Sequence, residues 1–264
     1  MCERLRREVN MNRKSALPEA RLVRSLFISD LHLGFRHCRV RELLDFLMMH
    51  EPENLYLVGD FIDGWSLQKG WHWQPECNLI VSRLMELARR GTRIRLAIGN
   101  HDNFLREPML QQFILQSGIL EVAEEFHHRT ANGRRFLVMH GDQFDHYERA
   151  SSLVVGSLNL IYEIALRANF WWSRTMSAAS HGNGSLVGQI KCRLHAVTTH
   201  VGCFRNQIIR HTQHRGCDGV ICGHIHAPQH LDVDGITYCN AGDWVENCTA
   251  VVEEPDGELQ LVWL

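Results

Sequence analysis

The chain has 264 residues, of which 45% are hydrophobic and 22% are charged, and its formal net charge is -2. These values are typical of a soluble globular protein and exclude one that binds nucleic acid through a strong overall positive charge. The length favours one large α/β domain with an insertion over two small domains. The nine cysteines form no C-x-x-C pair. Several of them lie in apolar runs, which indicates reduced, buried thiols in a cytoplasmic protein.

The first segment, residues 1–24, contains seven Arg or Lys and three Glu but no apolar core. It therefore lacks the pattern of a signal peptide or a membrane anchor. We expect a flexible basic leader here, followed by the main domain over residues 25–264.

From Ser25 onward, short apolar strands alternate with amphipathic helices, and the last part of the chain is a run of strands separated by turns. Gly91 is placed to cap the second helix. This order predicts an α/β fold class with two sheets and flanking helices. The predicted helices cover 39–50 and 77–90, and the predicted strands cover 26–28, 55–58, 94–98, 136–139, 218–222, 236–239, 249–252 and 259–262.

Residues 143–216 break this alternation. Their pattern is mostly helical, with apolar patches and with Trp171 and Trp172 near the middle. No apolar run in the segment is long enough to cross a bilayer. We therefore predict a helical insertion at about 143–216 that caps the functional site.

Side chains that can bind metal ions follow five of the predicted strands. Asp60, for example, comes directly after the apolar run 55–58 and Gly59. The carboxyl ends of strands are where open α/β sheets place their ligands. Imidazole, carboxylate and amide ligands together suit Mn, Fe or Zn better than Ca or Cu. The candidate residues are Asp30, His32, Asp60, Asn100, His101, Asp102, His140, Asp142, His224 and His226.

These residues fall in five ordered segments that resemble the motifs of the calcineurin-like metallophosphoesterases. The resemblance implies a two-sheet α/β sandwich flanked by helices, with two divalent metal ions as cofactors. We expect Mn²⁺, with Fe or Zn as alternatives. The segments are Asp30-Leu31-His32, Gly59-Asp60, Gly99-Asn100-His101-Asp102, His140-Gly141-Asp142 and Gly223-His224-Ile225-His226.

The resemblance also implies how the ligands are shared. Asp30, His32 and His226 would hold the first ion, and Asn100, His140 and His224 would hold the second. Asp60 would bridge the two ions, because two dications held close together need an anion between them. Two ions arranged in this way suit the in-line displacement of a phosphoryl group.

His101 and Asp102 form the predicted catalytic pair. His101 would contact the phosphate or protonate the leaving oxygen, and Asp102 would fix its tautomer. The chain most resembles UDP-2,3-diacylglucosamine pyrophosphatases of lipid A synthesis, which carry Gly-Asn-Arg-Asp at this point. The Gly-Asn-His-Asp form of this chain is commoner in phosphatases and phosphodiesterases. An Arg clamps a diphosphate, whereas a His can also donate a proton, so the exact substrate stays open.

The predicted cap suggests an anionic and partly apolar substrate. Between residues 164 and 217 there are seven Arg or Lys and no Asp or Glu. Together with the tryptophans they suit a phosphorylated lipid or an anionic membrane surface. An ordinary solvated helical face is the alternative interpretation. By loose analogy with related lids, Lys191 is a candidate substrate contact, alongside Asn100 and His101. Asp145 is a further candidate because it could reach the mouth of the site, although an aspartate in a loop is usually just solvated.

Three functions follow from these patterns. The leading hypothesis is a dinuclear metal hydrolase that cleaves the phosphoanhydride of a nucleotide-linked glycolipid, releasing UMP and a lipid phosphate. It predicts a cytoplasmic protein with peripheral contact at the inner membrane. The alternative is a phosphodiesterase or phosphomonoesterase of the same fold, acting on a nucleotide, phospholipid or phosphoprotein. A third is a non-catalytic scaffold, which is disfavoured because all seven ligand positions are filled. No nucleic-acid partner is expected, since no basic stripe with stacking aromatics crosses the motif loops.

Overall fold

The computed structural model describes residues 20–65, 70, 72–145 and 201–264. By their contacts, residues up to Gly141 and from Ile209 onward form one compact unit, and Asp142–Ile208 form a second. Residues 1–19 of the predicted leader and most of the predicted insertion, including Trp171, Trp172 and Lys191, lie outside the described residues. The role of the insertion as a cap therefore stays a prediction.

Within the described residues of the first unit, the strands form two sheets. The first sheet has the order β11-β10-β1-β2-β3-β4, and the second has the order β5-β6-β7-β9-β8. The strands are β1 (Arg21–Ile28), β2 (His50–Val58), β3 (Arg93–Ala97), β4 (Leu120–Ala123), β5 (Glu125–Arg129), β6 (Arg135–Met139), β7 (Gly219–Cys222), β8 (Gln229–Val233), β9 (Ile236–Asn240), β10 (Thr249–Glu253) and β11 (Leu259–Trp263).

The helices begin and end at residues that suit those positions. Pro75 opens α2 at a position where its missing N–H costs nothing, and Gly91 follows the end of α2 with a φ of 102°. Gly118, in the left-handed conformation, ends α3. The helices are α1 (Val40–Met48), α2 (Pro75–Arg89), α3 (Pro108–Ser117) and α4 (residues 201–214), with 3-10 turns at Asn103–Arg106 and Asp142–Phe144.

Parallel pairing brings the predicted motifs to the same edge of each sheet. Strands β1, β2, β3 and β4 pair in parallel, and so do β6, β7 and β9. Strand β10 pairs with β1 in the antiparallel direction. The carboxyl ends of β1, β2 and β3 therefore lie side by side, as do those of β6 and β7.

The core has two layers because the central strands are buried on both faces. In β1, Leu26 and Ile28 pack with the helices, whereas Phe27 packs between the sheets with Tyr56 and Val58. Every residue from 55 to 58 is buried. The predicted fold class, a two-sheet α/β sandwich with flanking helices, is confirmed.

Several predicted boundaries were wrong. Strand β1 begins at Arg21 rather than at Ser25, because Arg21 and Arg24 pair with Glu254 and Glu253. The strand character thus begins within the predicted leader, four residues early. Strands β4, β5 and β8 were not predicted at all. No described helix is long and apolar enough to cross a membrane.

The described cysteines are all free. Six of the seven are buried, and only Cys203 is exposed. Burial raises the pKa of Cys222 to about 12, so this thiol stays protonated at neutral pH.

Candidate metal centre

The predicted ligands sit in short loops just after the strands. Asp30 and Asp60 each follow their strand by two residues, and backbone hydrogen bonds continue the pairing into the loops. The amide of Asp30 donates to the carbonyl of Gly59 at 3.1 Å, and that of His32 donates to the carbonyl of Asp60 at 2.8 Å. The amide of Gly223 donates to the carbonyl of His140 at 3.1 Å. These bonds hold the loops of different strands against one another.

Backbone strain concentrates at these positions. Five of the seven predicted ligands have positive φ, a conformation that is rare for residues other than glycine and costs about 1–3 kcal/mol each. Strain of this kind persists at functional sites, where the surrounding structure holds it in place. The five residues and their φ values are Asp30 (53°), His32 (49°), Asp60 (51°), His224 (72°) and His226 (48°).

Asp30, His32 and His226 form one group whose side-chain ligand atoms lie within 4.8 Å of one another. His226 Nε2 lies 3.1 Å from Asp30 Oδ1, and His32 Nε2 lies 3.8 Å from the same oxygen. The two imidazole Nε2 atoms are 3.5 Å apart. One cation can be reached by all three side chains.

Asp60 lies at the centre of the site. Its Oδ2 is 3.8 Å from His32 Nε2 and 3.4 Å from His140 Nε2. It also belongs to a group with Asp30 and His140 and to another with His32 and His101. A single buried carboxylate is thus within reach of both predicted ion positions.

The other predicted group contains an amide oxygen and two imidazoles. His140 Nδ1 donates to the carbonyl of Val58 at 2.9 Å, which leaves Nε2 as the ligand atom. That Nε2 lies 3.2 Å from Asn100 Oδ1. The ring of His224 lies 5.1 Å from the ring of His140 in an edge-on arrangement. The structure therefore brings all seven predicted ligands to one place.

Glycines in the loops let the backbone come this close. A Cβ at Gly99 would lie 2.2 Å from Asp60 Oδ1, and one at Gly223 would lie 2.3 Å from Asp30 Oδ2. At Gly59, where φ is 84°, a Cβ would lie 2.3 Å from the ring of His140. Any side chain at these positions would displace a predicted ligand.

The charges of the site are balanced between carboxylates and imidazoles. Burial would raise the pKa of Asp60, but the imidazoles of His140 and His32 hold it well below its usual value. Burial would lower the pKa of His226, but Asp30 raises it to about 9. The carboxylates are therefore ionised, and a cation entering the site would displace a proton from His226.

The donor set fits divalent cations. Asp30 Oδ1 is buried without a well-aligned hydrogen bond, and its nearest polar neighbours are Nε2 of His226 (3.1 Å) and of His32 (3.8 Å), which are themselves predicted ligands. A carboxylate oxygen and two imidazole nitrogens that converge in this way can be satisfied together by one cation. Imidazole, carboxylate and amide ligands suit ions such as Mn, Fe and Zn. The buried oxygen of Asp30 and the strained backbone of the predicted ligands both indicate that this site binds a cation.

His101 lies beside the site, but the structure corrects the partner expected for it. Its Nδ1 lies 2.8 Å from Asp63 Oδ1, and the ring stacks on Trp65 with 4.0 Å between centroids. The two oxygens of Asp102 instead accept the backbone N–H groups of residues 61 and 62, each at 2.9 Å. Asp63 thus makes the contact expected of Asp102, because Asp102 is occupied in shaping the loop after Asp60.

The surroundings of His101 and of Asp102 change the pKa of each residue. Burial lowers the pKa of His101, but Asp63 and Asp60 raise it above its usual value. Burial and the nearby Asp60 raise the pKa of Asp102 to about 7. His101 is therefore the better placed of the two to carry a proton towards the site.

The remaining predicted contacts are not tested by this geometry. Asp145 is buried, and its amide donates to the carbonyl of Asp142 within the second unit. Lys191 lies outside the described residues. Of the seven basic residues of the predicted cap, Arg215 is paired with Glu125 of β5. Because of this ion pair, Arg215 does not contribute an unpaired positive charge to the predicted cap.

Comparison with known protein families identifies the family of this chain. The calcineurin-like phosphoesterase family matches the chain over residues 23–228. The chain belongs to this family. It is therefore a phosphoesterase-type hydrolase, and membership implies divalent metal ions at the site described above.

The chain is also similar to several individual proteins. The chain is 24% identical over 216 residues to a UDP-2,3-diacylglucosamine hydrolase of Cellvibrio japonicus (strain Ueda107), covering 77% of this chain and 82% of the relative. It is 26% identical over 252 residues to the enzyme of the same name from Pseudomonas aeruginosa (strain UCBPP-PA14), covering 89% and 97%. Among solved structures, a novel archaeal phosphodiesterase aligns with a TM-score of 0.44 at 13% identity, covering 91% of this chain and 99% of that one.

Proposed function

We propose that this phosphoesterase cleaves the phosphoanhydride of a nucleotide-linked glycolipid of the UDP-2,3-diacylglucosamine type, releasing UMP and a lipid phosphate. The observation that carries the hydrolytic part is the position of Asp60, whose Oδ2 lies within 4 Å of His32 Nε2 (3.8 Å) and His140 Nε2 (3.4 Å). The substrate part is supported by the relative from Pseudomonas aeruginosa, which aligns with 89% of this chain and bears that substrate in its name.

In this proposal Asp30, His32 and His226 would hold one divalent cation, and Asn100, His140 and His224 would hold the other. The Asp60 carboxylate would be shared between the two. When bound, two such cations supply Lewis acidity at the phosphoryl group and an oxygen nucleophile at neutral pH. Mn²⁺ is our choice for both positions, with Fe or Zn as alternatives, because the mixed N/O ligand set accepts all three.

His101 acts on the substrate from beside the ligands. Its Nδ1 faces Asp63, so its Nε2, 3.9 Å from Asp60 Oδ2, is the nitrogen turned towards the centre of the site. Asp63 and Asp60 raise the pKa of His101 above its usual value, which extends the protonated state of the ring to higher pH. A protonated Nε2 can donate to a phosphoryl oxygen or to the leaving oxygen. Stacking on Trp65 fixes the plane of the ring.

The same histidine favours a second candidate function. An Arg in this position would clamp a diphosphate with two parallel hydrogen bonds, whereas His101 offers one donor and one proton. A phosphodiesterase or phosphomonoesterase needs only one phosphoryl group to be held. A nucleotide, phospholipid or phosphoprotein substrate is therefore the alternative to the glycolipid.

The location of the enzyme follows from the proposed substrate. A diacylated substrate resides in a membrane, and a peripheral position at the cytoplasmic face of the inner membrane would bring the enzyme to it. Basic residues in the 143–216 segment would contact the anionic surface there. Lys191 and Asp145 are proposed as substrate contacts in the same region.

A substrate panel with Mn²⁺ tests the proposal. UMP or phosphate release is measured on UDP-2,3-diacylglucosamine, on the deacylated UDP-sugar and on an aryl phosphate ester. The glycolipid hypothesis predicts a rate on the acylated substrate at least about tenfold above that on the deacylated one, since acyl contacts would add binding free energy. Equal rates on both, or faster turnover of the aryl ester, would favour the alternative function.

The control for the panel is Asp60→Asn, which weakens the bridge between the two cations. Loss of several kcal/mol of charge stabilisation corresponds to about a thousandfold slower turnover on every substrate. Metal content, measured by elemental analysis, should fall at the same time. Full activity in this variant would refute the bridging role whatever the substrate.

A further inference from the structure

A second pocket lies in the first unit, away from the metal centre, and it is lined mainly by cationic side chains. Its volume is about 170 Å³. The lining residues that matter for binding are Arg24, Arg93, Arg95, Arg129, His127 and His128. This composition differs from that of the metal centre, which combines two carboxylates with four imidazoles and one amide.

The pocket lies towards the amino-terminal ends of the strands whose carboxyl ends carry the metal ligands. On β2, Asn54 of the pocket precedes Asp60 by six residues, and on β3, Arg93 precedes Asn100 by seven. Tyr56 and Arg95, which also line the pocket, come nearer, so at about 3.3 Å per residue along a strand the pocket residues of β2 and β3 lie about 13–23 Å from the ligands. The pocket is therefore a site of its own rather than an extension of the metal centre.

Two of the four arginines have carboxylate partners. Arg24 pairs with Glu253, and Arg95 Nε lies 3.3 Å from Glu121 Oε2. Among the described residues, Arg93 and Arg129 have no ion pair and no side-chain hydrogen bond. Two exposed guanidinium groups thus line a small pocket together with two others, without a matching negative charge. A bound anion would relieve the repulsion between these guanidinium groups.

The paired arginines are held in fixed positions. Arg24 Nη1 donates to the carbonyl of Arg129 at 2.9 Å, and Arg95 Nη1 donates to the hydroxyl of Tyr56 at 2.9 Å. That hydroxyl lies 3.1 Å from Nδ1 of the buried His128, whose Nε2 lies 2.8 Å from Glu253 Oε2. A rigid wall of this kind reduces the entropy lost when a ligand binds.

We infer that this pocket binds the phosphate group of a small soluble anion, such as inorganic phosphate or a diphosphate. Planar guanidinium groups match the oxygens of a phosphate with paired hydrogen bonds, and several of them around one small volume favour an ion with more than one negative charge. The size of the pocket suits one or two phosphoryl groups. The inference does not depend on the substrate proposed for the metal centre.

Calorimetric titration of the Mn²⁺-loaded full-length protein tests this inference, with inorganic phosphate and with methylenediphosphonate, a diphosphate analogue that lacks a P–O–P bond. We expect two sites per chain in the wild type, one at each location. Arg93→Glu combined with Arg129→Glu should weaken the second site at least tenfold, leaving one site. Metal content and turnover of an aryl phosphate should not change, because neither residue belongs to the metal centre.

Two matched variants make the result decisive. Arg89→Glu reverses one charge at an exposed arginine outside the pocket, as the double variant does at each of its two positions, and should leave both sites intact. Arg93→Gln removes one charge without reversing it and should weaken the second site severalfold, which covers the case in which the double variant folds poorly. A single site in the wild type, or equal weakening by Arg89→Glu, would overturn the inference. Binding only to vesicles that contain phosphatidic acid, and not to the soluble anions, would also overturn it.

Discussion

Two regions of the first unit bury carboxylates beside imidazoles, and they differ in how those groups are satisfied. Between the sheets, Glu253 Oε2 accepts from Ser25 Oγ at 2.5 Å and lies 2.8 Å from His128 Nε2. Its Oε1 accepts from the backbone N–H of Ala131 at 2.8 Å and pairs with Arg24. At the carboxyl ends of the strands, by contrast, Asp30 Oδ1 is buried without a well-aligned hydrogen bond, and the group nearest to it is another predicted metal ligand, His226, whose Nε2 lies 3.1 Å away.

The backbone shows the same difference. Five residues of the metal centre have positive φ, whereas Ser25, His128 and Glu253 lie in regular strands. A buried polar group that has all its partners in a relaxed backbone adds to the stability of the fold. A buried polar group that lacks a partner in a strained backbone costs stability, and that cost indicates a use outside the fold. Similar side chains are therefore buried for different reasons in the two regions. Those between the sheets stabilise the fold, and those at the carboxyl ends of the strands serve function.

After the loss of the Asp60 carboxylate itself, the largest effect is expected from crowding the metal centre. In Gly99→Ala the new Cβ would lie 2.2 Å from Asp60 Oδ1 and would push that carboxylate out of place. A displacement of about 1 Å in a catalytic constellation costs about 100-fold in rate. We expect this loss in kcat, with reduced metal content by elemental analysis. Gly202→Ala is the matched control, since a Cβ there meets nothing within 4 Å; equal losses in both variants would contradict the explanation.

The sequence was sufficient to predict which side chains come together at the candidate metal centre, because those side chains lie at strand ends. Each candidate ligand follows an apolar run, and the parallel order of those runs brings them to one edge. Asp63 was missed because an aspartate in a loop resembles a solvated residue. The available signal was the Gly-Asp-x-x-Asp spacing, which places Asp63 three residues after Asp60 and in the same loop.

The missed strands have a different cause. Strands β4, β5 and β8 are all at the edges of their sheets, and each has exposed or half-buried positions. Polar residues therefore interrupt each of these strands, which leaves them without the continuous apolar runs that reveal central strands. The network of His128 and Glu253 could not be predicted either, because 125 residues separate the two and neither lies in a recognisable motif.

A smaller effect on rate is expected from the partner of His101. Asp63→Asn removes the carboxylate that helps to raise the pKa of His101, so the protonated ring is lost at a lower pH. We expect kcat to fall about 10- to 100-fold with unchanged metal content, as for other residues that orient a functional histidine. The alkaline limb of the pH profile of kcat should move to lower pH.

Asp102→Asn distinguishes the two assignments. Asp102 accepts two backbone N–H groups rather than contacting the ring, so this variant should lower stability and metal binding together. Thermal denaturation and elemental analysis measure both effects. If Asp102→Asn instead shifted the pH profile while Asp63→Asn did not, the catalytic pair predicted from the sequence would be right after all.

The smallest effect on activity is expected from the network between the sheets. Glu253→Gln leaves Arg24 and His128 without their carboxylate partner, and breaking a buried ion pair in this way costs about 3 kcal/mol of unfolding free energy. Turnover should stay at the wild-type level, because this network lies away from the metal ligands. Glu253 pairs with Ser25 of β1, and Ser25 is five residues before Asp30, the nearest metal ligand in the sequence. Denaturant unfolding and an aryl phosphate assay measure the two quantities; Glu258→Gln, at an exposed position, is the control.

The pH dependence of stability sharpens this last contrast. Burial would raise the pKa of Glu253, but hydrogen bonds from His128 and Ser25 hold it below its usual value of 4.5. A carboxylate whose pKa is lower in the folded state stabilises the fold above its unfolded pKa, and that contribution is lost as the pH falls through the folded value. The wild type should therefore lose its advantage over Glu253→Gln only below about pH 4.5. If the difference in unfolding free energy stayed constant down to pH 3, the stabilisation would come from packing rather than from the charge of Glu253.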